Sequence, residues 1–162
     1  MKTAYFVAAA IALVLPLSVV AQQPAAHQGP ADPAAVNPLP ELPGVVSWKT
    51  LSLVQSVKEK DKVVPSFDKS ITALDKKDVK VQGFMMPLET GERQQHFILT
   101  AYPPSCGFCM PSGPEGVVEV RTKQPVKYTV EPIVISGRMA VMRDDPTGIY
   151  YRLTGAVQTT AK

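Results

Sequence analysis

The sequence predicts a mainly β protein built on a small five-stranded barrel. Between residues 79 and 157, five short segments rich in branched and aromatic residues are separated by turn signals of glycine, proline and aspartate. The first segment contains Gly83 and the fourth contains Gly137. Glycine inside a strand is typical of a bulge or sharp bend. These features favour an OB-like barrel, and a small open sandwich is the alternative.

The five strands are predicted over residues 79–87, 96–102, 117–120, 133–142 and 149–157. Pro87 ends the first strand, and Pro103-Pro104 end the second. The run from Arg143 to Gly148 is a strong turn signal between the fourth and fifth strands.

Short helices are predicted before the strands. Ser47 is a suitable N-cap, and Trp48, Leu51 and Val54 recur every three residues, as on one helical face. A second short helix is predicted over residues 67–74, followed by a turn at 75–78. We therefore expect a single OB-like domain over residues 45–158, with a helical lead-in at 45–78 and the barrel at 79–158.

The N-terminus reads as a secretory signal. Lys2 provides a positive start, residues 4–20 carry no charge, and Pro16 interrupts the apolar run. We place the cleavage site after Ala21 and expect a periplasmic protein. The alternative is an uncleaved anchor, although the run is short for a membrane span. No other segment of the sequence could cross a bilayer.

Residues 22–44 are predicted to be an extended linker. Six of them are proline, and only Asp32 and Glu41 are charged. A segment of this composition cannot bury a core and favours polyproline-like conformations.

The charge of the chain excludes some classes of partner. The formal charge is +3, and removal of Lys2 with residues 1–21 leaves +2. A nucleic-acid-binding protein would show a concentrated basic patch, so we expect no nucleic-acid partner. With only two cysteines, the chain is not a disulfide-rich scaffold.

The candidate site is a proline-bracketed loop that contains both cysteines, Cys106 and Cys109. A structural disulfide is the first interpretation, because nearby thiols oxidise readily outside the cytoplasm. Thiol–disulfide exchange is the second, but Gly113 and Pro114 make a poor helix start for lowering a thiol pKa. Metal binding is the third, because two thiolates at this spacing can grip one ion.

A zinc site usually needs more than two protein ligands. His96 is the natural third ligand, since it begins the strand that leads into the loop, although an ordinary strand-end histidine is the simpler interpretation. Met85, Met86 and Met110 are soft donors suited to copper(I), but a strand methionine such as Met85 more often packs in a core.

No pattern indicates catalysis. We find no phosphate-binding glycine loop, no serine-centred elbow and no positioned acid–base pair. The carboxylates of Glu115 and Glu119 are most simply interpreted as solvated strand-end residues. We therefore expect a protein that is not an enzyme, with no catalytic residues and no organic cofactor site.

Four segments of the chain are distinctive when taken together: GFMMPLE at 83–89, FIL at 97–99, PPSC at 103–106 and PEGVVEV at 114–120. In these segments the sequence resembles a family of small exported bacterial proteins catalogued as a domain of unknown function. The resemblance covers residues 48–157. It implies an OB-like barrel in the periplasm and an association with metal-transport genes, zinc in particular.

Many family members carry Cys-x-His followed by prolines in the corresponding loop. Here Cys106 matches the cysteine, and Cys109 stands near the position of the histidine. Exchange of histidine for cysteine keeps a metal ligand, which favours the metal interpretation of the loop.

The resulting hypothesis is a periplasmic protein that binds zinc or copper through Cys106, Cys109 and His96. It would act as an accessory or metallochaperone to membrane transporter components. The alternatives are a non-catalytic interaction module with a Cys106–Cys109 disulfide and, third, a thiol–disulfide redox protein.

Overall fold

The computed structural model describes residues 39–104 and 113–161 of the 162-residue chain. The predicted signal, residues 22–38 of the predicted linker, Cys106 and Cys109 lie outside these residues. The predicted class is confirmed, because the described residues form a mainly β structure with a closed five-stranded barrel and a few short helices. Among the described residues, no helix is long and apolar enough to span a membrane.

The elements follow one another as helix α1 (Trp48–Leu51), strands β1 (Val54–Glu59) and β2 (Lys62–Phe67), helix α2 (Lys69–Thr72), and strands β3 (Asp78–Pro87), β4 (Arg93–Thr100), β5 (Val117–Lys127), β6 (Ile133–Val141) and β7 (Tyr151–Thr159). A single 3-10 turn, Pro114–Gly116, leads into β5.

The barrel has the strand order β3-β4-β5-β7-β6, and β6 closes it against β3. All neighbouring strands are antiparallel except β5 and β7, which run parallel. The five strands thus form a closed barrel, as the sequence predicted.

Closure depends on β3, which changes partner along its length. Its first part, Asp78 to Gly83, pairs with β6, and the part from Phe84 onwards pairs with β4. At the point of change, a Cβ on Gly83 would lie 3.0 Å from the Thr100 carbonyl oxygen and 3.3 Å from Trp48 Cζ2. A glycine is therefore needed at this bend because two other elements approach its backbone closely.

The predicted irregularity at Gly137 is confirmed. The register of β6 against β7 shifts between Ser136 and Arg138. A Cβ on Gly137 would lie 3.0 Å from the Cβ of Ala156, so the strands also approach closely here.

The interior of the barrel is filled by fully buried side chains from all five strands. Its members include Val81, Met85, Phe97, Leu99, Val118, Val120, Ile135, Met139, Tyr151 and Leu153. Met85 is 1% exposed, which confirms the interpretation of this methionine as a core residue.

The boundaries of several barrel strands differ from the predicted ones. Strand β4 begins at Arg93 and ends at Thr100, before the predicted end at Tyr102. Strand β5 extends to Lys127 rather than Val120, because its polar second half still pairs with β4. Polar side chains on a half-exposed strand give a weak sequence signal.

The predicted cap of the first helix is confirmed, but the helix is shorter than its periodicity implied. The Ser47 side chain accepts a hydrogen bond from the Lys49 backbone N–H at 3.1 Å. The helix ends at Leu51, and Val54 begins a strand instead of a third helical contact. The predicted placement of Val54 in the helix was wrong, because this β-branched residue instead pairs with the opposite strand of a hairpin.

The hairpin β1–β2 was not predicted. It includes Phe67, which was predicted to be the first residue of the second helix. Phe67 ends β2, Asp68 caps the helix, and α2 covers only Lys69–Thr72. Lys60, at the tip of the hairpin, has a φ of 53°. The tip is made of charged residues with no glycine, so it lacks the usual hairpin signal.

One edge of this hairpin is protected. Pro65 in β2 lies opposite Ser56 in β1, and as a proline it has no backbone N–H to donate to another strand. Its carbonyl oxygen accepts a hydrogen bond from Arg143 Nε at 3.2 Å. The edge of β2 is therefore a poor template for a further strand.

Tyr151 connects the barrel to the lead-in. Its hydroxyl donates a hydrogen bond to the Leu51 carbonyl oxygen at 2.6 Å, and both residues are fully buried. The ring also contacts Phe67, with the two centroids 6.0 Å apart. Burial raises the pKa of the Tyr151 phenol well above its usual value. The hydrogen bond therefore fixes α1 against the start of β7.

Replacing Tyr151 by phenylalanine should lower the free energy of unfolding by about 1.5 kcal/mol, because the buried Leu51 carbonyl loses its donor. Urea denaturation would measure the loss. Tyr150→Phe is the matched control, since Tyr150 is only partly buried, and it should change stability by less than about 0.5 kcal/mol. Equal losses in the two variants would contradict this role of the Tyr151 hydroxyl.

Candidate functional site

The outer face of β4, β5 and β7 carries a group of charged side chains around one carboxylate. The strand register places His96 opposite Arg121, and Glu119 between Ile98 on β4 and Arg152 on β7. Side chains at opposite positions of neighbouring strands project to the same face. We call Glu119, His96, Arg121, Arg152 and Asp145 the Glu119 cluster.

Glu119 is the centre of this cluster, and only 3% of the residue is exposed. Its Oε1 lies 2.7 Å from His96 Nε2, and it accepts hydrogen bonds from Arg121 Nε at 3.0 Å and Nη2 at 2.9 Å. Its Oε2 accepts a hydrogen bond from Arg152 Nε. The interpretation of Glu119 as a solvated strand-end residue was therefore wrong.

The ionised form of Glu119 is favoured despite its burial. Burial alone would raise the pKa of this carboxyl, but the hydrogen bonds from Arg152, Arg121 and His96 outweigh it and hold the pKa below its usual value. The same ion pair raises the pKa of Arg152. The cluster therefore contains a permanently charged carboxylate at neutral pH.

Asp145 extends the cluster into the connection between β6 and β7. Its Oδ2 lies 3.3 Å from Arg152 Nη2, and its Oδ1 accepts a hydrogen bond from the Thr147 backbone N–H at 2.9 Å. The hydrogen bonds from Thr147 lower the pKa of Asp145. Further along the connection, Ile149 packs against a small apolar cluster formed by Met86, Ile98 and Val117. Arg152 thus holds this connection onto the barrel.

His96 is held at both its ring and its backbone. The Nε2–Glu119 contact favours the tautomer with the proton on Nε2, which leaves a lone pair on Nδ1 in the neutral ring. The Glu89 carboxylate accepts hydrogen bonds from the backbone N–H groups of Gln95 and His96. The His96 side chain is 35% exposed, so the oriented ring is accessible to a ligand.

The two ends of the cysteine loop are fixed side by side. Thr100 pairs with Val117, and the Ala101 N–H donates to the Gly116 carbonyl oxygen at 3.2 Å. His96 lies four residues before Thr100 on the same strand, a distance of about 13 Å. Cys106 and Cys109 lie outside the described residues, so their predicted joint site with His96 stays a prediction.

The described residues contain no group of three or more histidine, cysteine, aspartate or glutamate side chains arranged to hold a metal ion. Of the methionines proposed as soft donors, Met85 lies in the core, and Met86 is 8% exposed and packs against Ile98 and Val117. Met110 lies outside the described residues.

A cavity of about 510 Å³ lies beside the ends of the same loop. The segment from Leu39 to Lys49 forms one side, and Gln82, Ala101, Tyr102, Glu115 and Gly116 contribute to the other. Trp48 lines it, with its indole N–H donating to the Gln82 carbonyl oxygen at 2.7 Å. We call this space the Trp48 cavity.

Sequence reasoning found His96 but missed its partners. Glu119 and Arg121 are two residues apart on β5, so their side chains lie on the same face of the strand, and this spacing is visible in the sequence. Arg152 joins them only through the parallel pairing of β5 with β7. No local pattern reveals a register between strands that are so far apart in the chain.

Replacing Glu119 by glutamine should destabilise the fold by about 3 kcal/mol at neutral pH, because Arg152 and Arg121 lose their buried counter-charge. Since folding lowers the Glu119 pKa, its charge stabilises the protein above about pH 4.3, and this contribution is lost as the pH falls through the folded-state pKa. The difference between parent and variant should therefore shrink towards pH 3.

Denaturant unfolding at several pH values would measure this difference. Glu92→Gln, in the exposed turn after β3, is the control and should cost less than about 0.5 kcal/mol. A difference between parent and Glu119→Gln that stays constant from pH 7 to pH 3 would contradict the charge-based account.

Comparison with known proteins gives a structural match and a family match. The structural match is the crystal structure of a DUF3299 family protein from Pseudomonas aeruginosa PAO1, with 23% sequence identity and a TM-score of 0.47. The match covers 60% of this chain and 69% of that chain. No curated protein matches.

The family match covers most of the described barrel. The model described as "Protein of unknown function (DUF3299)" matches residues 38–154, well over half of the chain. The expectation of a family of unknown function is confirmed, and this chain belongs to the DUF3299 family.

Proposed function

We propose that this protein is a periplasmic binding protein that holds one zinc or copper ion. Cys106 and Cys109 are the thiolate ligands, and His96 is the third. The protein then acts as an accessory or metallochaperone to a membrane transport system rather than as an enzyme.

The observation that carries this proposal is the contact between His96 Nε2 and Glu119 Oε1 at 2.7 Å. Histidines that ligate metals commonly donate their other ring N–H to a carboxylate, which fixes the tautomer and the ring orientation. Glu119 is itself fixed by two arginines. The ring of His96 is therefore held in an orientation that leaves Nδ1 as the nitrogen available to a metal ion.

The anchoring of the cysteine loop also supports a shared site. Thr100 and Val117 hold its two ends together on the barrel. Cys106 follows Thr100 by six residues, and six extended residues span about 20 Å. This length exceeds the distance of about 13 Å along β4 from Thr100 to His96, so the chain is long enough for both residues to meet one ion.

The donor set suits a borderline or soft metal. Two thiolates and one imidazole are good ligands for zinc, and thiolates also bind copper(I). With three protein ligands, a fourth position remains for water or for a group on a partner. Such an incomplete site suits a protein that passes its ion to a transporter.

The second candidate is a non-catalytic interaction module in which a Cys106–Cys109 disulfide stiffens the loop. The Trp48 cavity at the base of the loop, with Tyr102 partly exposed beside it, favours this alternative. A thiol–disulfide redox protein is the third. It requires a bridge that cycles between its two states.

Elemental analysis and thiol titration of the exported protein, purified without chelator, should find about one zinc or copper per chain and two titratable thiols after denaturation. Cys106→Ser should lose the metal, because one thiolate and His96 hold the ion poorly. Ser105→Ala, one residue away, should keep it.

The alternatives predict different results. A protein with neither metal nor free thiols would contradict the metal proposal and support the disulfide-containing module. A bridge that glutathione buffers reduce and reform reversibly would instead support the redox protein.

Metal affinity measured by competition with a chromophoric chelator tests the role of His96. His96→Asn should lower the affinity at least tenfold, and Glu119→Gln should lower it about 10- to 100-fold through the orientation of His96. His27→Asn is the matched control, since His27 is the only other histidine. Unchanged affinity in His96→Asn, with the metal still bound, would place the third ligand elsewhere.

A further inference from the structure

We infer that the Trp48 cavity is a binding site for a small organic cation with an apolar or aromatic body. This inference uses only described residues and does not depend on the metal site. It rests on the size of the cavity, on the aromatic and apolar residues that line it, and on the net negative charge of its ionisable groups.

The size of the cavity suits a small molecule. Its volume of about 510 Å³ falls within the range of about 300–1,000 Å³ that is usual for ligand sites. Its apolar walls include Leu39, Leu42, Val45 and Val46. An apolar ligand body that packs against these residues would be removed from water along that side of the cavity.

Two aromatic side chains face the space. The Trp48 indole N–H already donates to the Gln82 carbonyl oxygen, so this hydrogen bond holds the ring in the cavity lining and leaves no indole donor for a ligand. Tyr102, which is 37% exposed, lines the cavity from the end of β4. Aromatic faces attract cations that lie within about 6 Å of the ring centroid.

Among the residues that the structure describes, the ionisable groups of the lining leave one negative charge, on Glu115, without a counter-charge. Lys49 pairs with Glu41 at 3.6 Å, and the Ser47 hydroxyl donates to the same Glu41 oxygen at 2.7 Å. The ion pairs formed among residues 39–104 and 113–161 do not include Glu115. The lining therefore carries a net charge of −1 at neutral pH, from two glutamates and one lysine.

This charge selects the class of ligand. An anionic ligand would meet the Glu115 carboxylate in a partly apolar space, where like charges repel more strongly than in water. A neutral apolar ligand would leave the carboxylate without compensation. An ammonium group pairs with Glu115 while the apolar body fills the remainder of the cavity.

The chain contains a suitable reporter, because Trp48 is its only tryptophan. Titration with 2-phenylethylamine should change the Trp48 fluorescence saturably. The neutral 2-phenylethanol should bind at least tenfold more weakly, and the anionic 3-phenylpropanoate should give no saturable change. The three probes share a phenyl body and differ mainly in charge.

Variants of the two glutamates distinguish pairing of the amine with Glu115 from a general effect of removing one negative charge from the cavity. Glu115→Gln should lower the affinity for the amine at least tenfold, to that of the alcohol, and leave alcohol binding unchanged. Glu41→Gln is the matched control in the same cavity and should change amine affinity less than twofold, because Glu41 is already paired. Unfolding midpoints of both variants would verify that they are folded.

Three results would overturn the inference. They are a Trp48 fluorescence that does not respond to the amine, equal affinities for the amine and the alcohol, and an amine affinity that survives Glu115→Gln in a folded variant. None of these results would affect the metal content of the protein, so this test and the test of the metal site fail independently.

Discussion

The closed barrel depends on one strand that hydrogen bonds to two different neighbours along its length. Strand β3 pairs with β6 up to Gly83 and with β4 from Phe84 onwards. Without the change of partner, the five strands would form an open sheet with two unpaired edges. Gly83 makes the change possible, because Trp48 and the backbone at Thr100 both press on this position. The bend thereby also places Trp48 and the end of β4 beside the same cavity.

Electrostatics dominates the outer face, where burial of one negative charge determines the positions of its neighbours. A buried carboxylate is tolerated only when donors surround it. Glu119 obtains these donors from β4, from β5 itself and from β7, so three strands are tied at one point. Through Arg152 and Asp145, the connection that follows β6 is tied there as well. The accessible His96 ring is thus part of a rigid network rather than a mobile surface side chain.

The sequence predicted those features that depend on local chemistry. Ser47 as a cap, Gly137 as an irregularity and the five barrel strands each follow from neighbouring residues. The hairpin β1–β2 was missed because its charged tip carries no glycine and its valines also fit a helical spacing. The Glu119 cluster was missed because it depends on the pairing of β5 with β7. These two strands are far apart in the sequence, so no local pattern predicts their register.

The position of β7 has a consequence for how the chain folds. β7 is the last strand of the barrel in the sequence, yet in space it lies between β5 and β6. A chain that lacks this strand presents two open edges and a Glu119 without Arg152, so the barrel cannot close before the last strand is available. Closure of the barrel is therefore a late step in folding, because it requires the non-local pairing of the last strand with β5.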